Sequence, residues 1–186
     1  MKMRIIGGEG KGRRLRAPKG DATRPTGDRV KQTLFDILAP RIAGCRFLDV
    51  CAGAGGIGLE ALSRGAARVV FVDNDHAATT ATLENLAALH AGGEAKVFRQ
   101  DARVALGALA DTGVRFDVIY LDPPYESELY EDLLRQIAQM RLVETDGIVV
   151  AEHFHKRVLP ETIEGLFRSR SVRIGDHRLS FYRGPE

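Results

Sequence analysis

An α/β fold, with a mostly parallel sheet covered on both faces and closed by an antiparallel hairpin, is what these 186 residues predict. Three observations lead there. Short apolar runs alternate with segments of helical periodicity between Phe47 and Ala151. The runs Phe47–Val50, Val69–Val72, Phe116–Leu121 and Ile148–Ala151 are almost continuously apolar, as strands buried on both faces are. The last stretch instead reads as two strands, Arg168–Ile174 and Arg178–Tyr182, around the permissive turn Gly175–Asp176.

Taken in order, Ile5-Ile6-Gly7-Gly8 followed by Arg13-Arg14-Leu15-Arg16 predicts a glycine-rich hairpin or extended arm. Thr26 is the expected N-cap of a first helix with Val30, Leu34, Ile37 and Leu38 at helical spacing, stopped by Pro40. Phe47–Val50 is the first strand. A glycine loop over Gly53–Gly58 leads into a helix from Leu59 to Arg64, closed by Gly65. Val69–Val72 is the second strand and ends at Asp73. A helix follows over about Ala77–His90, then a weaker third strand, Ala95–Phe98, ending near Asp101. Val104–Leu109 is helical and Phe116–Leu121 is the fourth strand. Leu129, Leu133, Ile137 and Met140 fall on one face of the next helix. Ile148–Ala151 is the fifth strand, and Val158–Leu166 is expected to begin a helix before the closing hairpin.

A chain of this length holds one domain with a full core. We divide it into a basic arm and helix at 1–40 and a main domain at 41–186. Hydrophobic residues make up 44% and charged residues 28%, a globular composition, and no apolar run reaches the roughly 18–20 residues of a membrane span. The start of the chain lacks the apolar core of a secretory signal. Only two cysteines occur, Cys45 and Cys51, without metal-ligand spacing, so reduced thiols in the cytoplasm are expected. Glu152-His153-Phe154-His155 places alternating histidines at a strand end, but no third ligand is near and no metal is expected. His76 and His90 flank a helix and read as caps or surface groups.

Charge is uneven. Residues 1–31 hold ten basic and three acidic residues, a net of +7 that leaves −5 for the rest of a +2 chain. A basic arm on an acidic body suits a polyanionic partner, with phosphate the usual candidate.

Two motifs carry chemistry. Gly53-Ala54-Gly55-Gly56-Ile57-Gly58 lies between a strand and a helix, with Asp73 twenty residues after Gly53. That is a nucleotide-cofactor loop, whose acidic partner can accept ribose hydroxyls. Asp49 precedes the loop at the cofactor end of the strand. A carboxylate there repels a pyrophosphate and suits a cofactor with a sulfonium and an α-amino group. Asp101, after the third strand, can accept from an adenine amino group, cap the helix that starts at Ala102, or do both. The second motif is Asp122-Pro123-Pro124-Tyr125 at the end of the fourth strand. An exocyclic amine on a base is a poor nucleophile and must be oriented. Asp122 and the Pro123 carbonyl can each accept one of its hydrogens, proline fixes the direction of that carbonyl, and Tyr125 can stack on the base. Cys51 falls in the cofactor loop and reads as a small packed residue rather than a nucleophile.

Asp122–Tyr125 with Asp49-x-Cys51-x-Gly53-x-Gly55 resembles the amino-methyltransferases acting on adenine, cytosine or guanine. The flanking segments are more specific. They are Arg4-Ile-Ile-Gly-Gly8, Gly12-Arg-Arg-Leu15, Arg24-Pro-Thr-x-Asp28-Arg29-Val-Lys-x-Thr-Leu-Phe35, Gly58-Leu-Glu-Ala-Leu-Ser-Arg-Gly-Ala66 and Asp176-x-Arg-Leu-Ser-x-Tyr182. Together they resemble the bacterial RsmD family over nearly the whole chain. The resemblance implies a Rossmann-like class I S-adenosylmethionine-dependent methyltransferase fold, with a mostly parallel seven-stranded sheet, a C-terminal antiparallel hairpin and a small basic N-terminal extension. It implies methyl transfer from S-adenosyl-L-methionine to N2 of a guanine in 16S rRNA, within the small subunit or a late assembly intermediate, by a monomer. Asp49, Gly53 and Gly55 would line the methionine end of the cofactor, Asp73 with Asn74 the ribose, and Asp101 with Ala102 the adenine. Asp122, Pro123, Pro124 and Tyr125 would hold the guanine amine, and Lys11, Arg13, Arg14, Arg16, Arg24 and Arg29 would contact rRNA phosphates. Cys51, Ala54 and Lys31-Gln32 depart from the commoner phenylalanine, serine and Arg-Glu of the family. Two other readings stay open. An adenine-N6 methyltransferase shares Asp-Pro-Pro-Tyr without the N-terminal signature, and a nicotinamide-dependent dehydrogenase or non-catalytic nucleotide-binding module has no use for Asp122.

Overall fold

Five strands run parallel through the centre of the sheet. In the computed structural model, which describes residues 3–18, 27–124 and 128–184, they are β1 (Arg46–Val50), β2 (Arg68–Asp73), β3 (Ala95–Arg99), β4 (Phe116–Leu121) and β5 (Val143–Phe154). Helices α1 (Asp28–Ile42), α2 (Gly56–Ser63), α3 (His76–Leu89), α4 (Ala102–Asp111) and α5 (Leu129–Gln139) cover them. The C-terminal part supplies β6 (Thr162–Ile163), β7 (Leu166–Ile174) and β8 (His177–Arg183). Sheet order is β3-β2-β1-β4-β5-β8-β7-β6, with β8 inserted antiparallel between β5 and β7. The sheet has the predicted class. Among the described residues it holds seven strands of five or more residues plus β6.

β6 replaces the helix expected over 158–166. Glu164 and Gly165 both take positive φ, +47° and +86°, and form a two-residue turn that pairs Ile163 with Leu166. The segment before it is held extended by long-range bonds: Tyr182 Oη donates to the Pro160 carbonyl at 2.7 Å and Arg168 to that of Leu159 at 2.9 Å. Pro40 does not stop α1. The residues spaced four apart, Val30, Leu34, Leu38 and Ile42, are all buried, and packing of Ile42 carries the helix two residues past the proline. The division expected at residue 40 therefore falls inside α1. Thr26 lies outside the described residues, and Gly27 caps α1 without a side-chain bond. Helix α2 starts at Gly56, inside the expected loop, and β5 is longer than its apolar centre, reaching Glu152 and His153.

Two apolar clusters lie on the two sheet faces. One joins Val30, Leu34, Phe35 and Leu38 of α1 with Leu59 of α2, Phe71 and Tyr120. The other joins Leu106 of α4, Leu133 and Ile137 of α5 with Ile119 and Val149. Ile5 and Leu15 of the N-terminal arm are buried in the first cluster. The arm is the expected hairpin, with Arg4 bridged to Arg14. It sits so close to α2 that a Cβ on Gly8 (φ +72°) would meet the Ser63 carbonyl oxygen at 1.8 Å. Among the described residues no helix is long and apolar enough to cross a membrane.

The arm, α1 and α2 meet at one buried carboxylate. Glu60 is fully buried, accepts from the Ile6 backbone N–H at 2.9 Å and Arg64 Nε at 2.9 Å, and forms an ion pair with Lys31 Nζ at 3.0 Å. Lys31, also buried, donates to the Arg4 carbonyl at 2.7 Å. Removing one member of a buried pair strands the other charge. Lys31→Met is expected to lower unfolding stability by about 3 kcal/mol, the low end of that range because Arg64 still faces Glu60. Lys31→Met with Glu60→Gln should recover most of the loss, read from denaturant midpoints at unchanged m.

Candidate active site

Parallel strands bring their C-terminal ends to one edge, and there the sheet opens into a cavity of about 510 Å³. Asp49, Gly53, Asp73, Asn74, Asp101, Ala102, Asp122, Pro123 and Pro124 all line it. So the structure gathers nine of the eleven residues expected at the cofactor and the amine into one wall. Of the other two, Gly55 stands behind the wall as the N-cap of α2, with φ +78°. Tyr125 lies outside the described residues, as does Arg24. Lys11, Arg13, Arg14, Arg16 and Arg29 are exposed and do not line the cavity, although Ala17 and Lys31 beside them do. Arg13 donates to the Ala88 carbonyl and Arg16 pairs with Glu84, both on α3. Lys11, Arg14 and Arg29 have no carboxylate partner among the described residues.

Side chains behind the glycine loop shape it. Gly53 N–H donates to Asp73 at 2.7 Å and Asp75 N–H to the other Asp73 oxygen at 2.9 Å. Thr82 Oγ1 donates to the Gly53 carbonyl at 3.0 Å and Asn85 Nδ2 to that of Ala54 at 3.1 Å. Asp49 accepts the Gly58 N–H at 2.8 Å, tying β1 to the first turn of α2. Only glycine fits at 58, since a Cβ would lie 2.3 Å from the Phe71 ring. Asp101 caps α4 through the Arg103 N–H at 2.9 Å, and the Arg103 guanidinium bonded to it holds its carboxyl below its usual range.

Deeper in, acidic groups crowd together. Burial pushes Asp49 from 3.8 up to about 7, against the Gly58 N–H bond that favours its ionised form, with Asp73 adding to the rise. Asp122 is driven well above its ordinary value, first by burial, then by Glu152 and Asp49. Glu152 is 1% exposed and was missed in the sequence, where it reads as one end of a histidine pair. It accepts from Tyr120 Oη and lies 2.6 Å from His177 Nδ1. Burial and the Glu152 charge hold the Tyr120 phenol protonated. Tyr130, also missed, sets its hydroxyl 3.0 Å from both the Pro123 and Glu152 carbonyls and fixes the proline turn against β5. The one signal in the sequence is a carboxylate directly after the apolar run Ile148–Ala151. The two histidines part company: His153 bonds Ser180 at 2.8 Å and His155 approaches Asp176. Burial and four neighbouring carboxylates push the Cys51 thiol up to about 12, which removes it as a nucleophile.

A pocket lined by Asp49, Asp73, Asp101 and Asp122 around a nucleotide-loop geometry fits a small cationic nucleoside-like ligand. Comparison with known proteins points the same way. The family model described as conserved hypothetical protein 95 matches residues 3–183. The ribosomal RNA small subunit methyltransferase D of Escherichia coli is 37% identical over 158 residues, 85% of this chain and 78% of that protein. The chain belongs to the RsmD family. A Bacillus subtilis relative, YlbH, named provisionally as an rRNA methyltransferase, is 42% identical over 181 residues, 97% of this chain and 98% of that protein. The solved structure of yhhF from Escherichia coli, named provisionally as a methyltransferase, superposes with TM-score 0.87 at 33% identity over all of both chains. The RsmD motif Gly58–Ala66 is α2 and its closing turn, and its glutamate is the Glu60 that binds the arm.

The raised Asp49 value has a stability consequence. The folded state keeps a proton that the unfolded chain has already released, so this contribution falls as pH rises from about 3.8 to about 7 and levels off just above that. Buried His153 acts oppositely, because burial lowers it from 6.5 to about 4, but only below pH 6.5. Between pH 6.5 and about 8 the thermal midpoint of the protein without added ligand should therefore fall. Asp49→Asn should reduce that slope without abolishing it, since Asp122 is raised in the same direction, as followed by circular dichroism melts.

Proposed function

We propose that this RsmD-family chain transfers a methyl group from S-adenosyl-L-methionine to the exocyclic N2 of a guanine in small-subunit ribosomal RNA. What carries the reading is the placement of Asp122, Pro123 and Pro124 in the same cavity wall as Asp49, Asp73 and the Gly53 loop. The Escherichia coli relative's name supports the substrate class.

The residues present fit the cofactor. Asp49 and the backbone at Gly53 face its methionine end, Asp73 and Asn74 its ribose, and Asp101 and Ala102 its adenine. When bound, S-adenosyl-L-methionine supplies an electrophilic methyl group and a positive charge, which buried Asp49 and half-buried Asp122 lack among neighbouring side chains. Burial costs a carboxylate least when a cation faces it, so the ionised forms of both residues become the stable ones. Ionised Asp122 then accepts one hydrogen of the guanine amine. The second lone pair of the Pro123 carbonyl accepts the other, its direction set by Tyr130. Tyr125 stacks on the base. The two acceptors orient the amine lone pair in line, and Asp122 stabilises the positive charge that develops on nitrogen. A carboxyl with a raised pKa is also a competent acceptor of the proton that leaves after transfer. Lys11, Arg13, Arg14, Arg16, Arg24 and Arg29 hold the RNA backbone through phosphates, an electrostatic role that positions without reading sequence.

The test supplies labelled cofactor and small subunits lacking this methylation, followed by nucleoside identification. Label in N2-methylguanosine is expected; label in N6-methyladenosine, or in no nucleoside, overturns the reading. Asp122→Ala should lower the transfer rate by about 10²–10⁴-fold with cofactor binding little changed. An equal loss of binding would assign Asp122 to the cofactor.

A further inference from the structure

The C-terminal hairpin carries a second concentration of positive charge. Residues 155–184 hold seven lysines and arginines against three acidic residues. Arg173 and Arg178 sit directly opposite each other across β7 and β8. Like charges in that position destabilise a strand pair. No carboxylate neutralises either among the described residues: Arg173 Nε donates to the Gly175 carbonyl and Arg178 to Ser171 Oγ. Asp176, the hairpin's one acidic residue, lies 3.8 Å from His155 instead.

Position makes the pair relevant. β8 runs antiparallel to β5, so the β7–β8 turn comes to the edge where the parallel strands end, and Arg178 is in register with His153. The His153 ring meets Tyr130 edge-on at 6.1 Å, and Arg157 lies 5.0 Å above the same Tyr130 ring, whose hydroxyl bonds Pro123. Arg157, Arg168 and Arg178 all lower the basicity of buried His153, a separate sign that the guanidiniums converge. Arg168 is committed to Glu161 and Leu159. Arg157, Arg173 and Arg178 remain. The arm rests on α3, beside β2 and β3. The hairpin lies beyond β5, on the other side of Asp122.

We propose that Arg157, Arg173 and Arg178 form a second phosphate-binding surface, which grips the ribosomal RNA backbone on the side of the target base away from the N-terminal arm. This rests on the RNA-methyltransferase reading. Two separated grips fix the strand on both sides of one nucleotide, which is the geometry needed to hold that base extruded.

The experiment measures binding of a protein-free small-subunit rRNA fragment across a salt series. Arg173→Ala with Arg178→Ala should weaken binding about tenfold or more and reduce the slope of log K against log salt by about 1.4–1.8, two phosphate contacts' worth. Arg173→Lys with Arg178→Lys should keep most of the slope. Arg170→Ala with Arg183→Ala, at the far end of the hairpin, should change little. Arg173→Gln alone, on an exposed side chain, covers the case in which the double variant fails to fold, and should cost about one contact of slope. Unchanged affinity and slope refute the surface. So does a loss equal to that of the Arg170 and Arg183 control, or one seen only with assembled particles, which would assign the patch to a ribosomal protein. Methylation by the wild type is scored separately. Wild type that labels guanine while the variants bind normally refutes this surface alone, whereas wild type that binds RNA through these arginines and labels no guanine refutes the catalytic reading alone.

Discussion

Glu60 is the point on which the N-terminal half of the molecule turns. Its carboxylate binds the arm through Ile6, α1 through Lys31 and its own helix through Arg64. That helix opens on the glycine loop, and its first turn is tied to Asp49 through Gly58. A displacement of Glu60 would thus be felt at the floor of the cavity within two residues. The same helix docks the arm a second time through Ser63, which donates to the Gly7 carbonyl at 2.6 Å and accepts from Gly10 N–H at 2.9 Å. An arm rich in arginine would otherwise be a solvated tail. Here its backbone is pinned to the helix that follows the glycine loop, and Ile5 and Leu15 are buried, while Arg13, Arg14 and Arg16 remain exposed.

The cavity shows the opposite treatment of charge. Asp49, Asp122 and Glu152 are drawn together at the ends of adjacent strands β1, β4 and β5, and burial favours the protonated forms of Asp49 and Asp122. Structural carboxylates elsewhere in the chain are matched, as Glu60 is by Lys31 and Arg64. The contrast is one of cations: Asp49 and Glu152 are held by hydrogen bonds, from Gly58 and from Tyr120 and His177, and no lysine or arginine pairs with them among the described residues.

Much of this was legible in the sequence, for reasons that differ by element. Strands β1, β2 and β4 were readable because burial on both faces leaves an almost continuous apolar run, and the Gly53 loop because backbone approach demands glycine. The cavity lining followed from strand-end topology, which places Asp49, Asp73, Asp101 and Asp122 on one edge wherever the sheet is parallel. The rest depended on partners far along the chain. β6 arose where a helix was expected because the Glu164–Gly165 turn and bonds from Tyr182 and Arg168 outweigh local preference. α1 passed Pro40 because Ile42 is buried. Glu152 could not be assigned without knowing that Tyr120 faces it from the neighbouring strand and His177 from β8. Asp101 was read both as a cap and as a ligand residue, and the cap is the half that the structure contains.

The distribution of charge also constrains how a nucleotide can enter. A phosphate approaching Asp49 and Asp122 would meet carboxylates in a setting with little water to screen them. A base carries no net charge, and its amine offers hydrogens that those acceptors need. In the proposed function the acidic interior admits the base and refuses the backbone, while the arginines outside it, on the arm and on the β7–β8 edge, are the proposed phosphate contacts. Under that division a stacked nucleotide cannot satisfy both regions at once, because its base and its phosphates must part to reach them. Extrusion of the base follows from where the charges sit, before any contact specific to guanine is made.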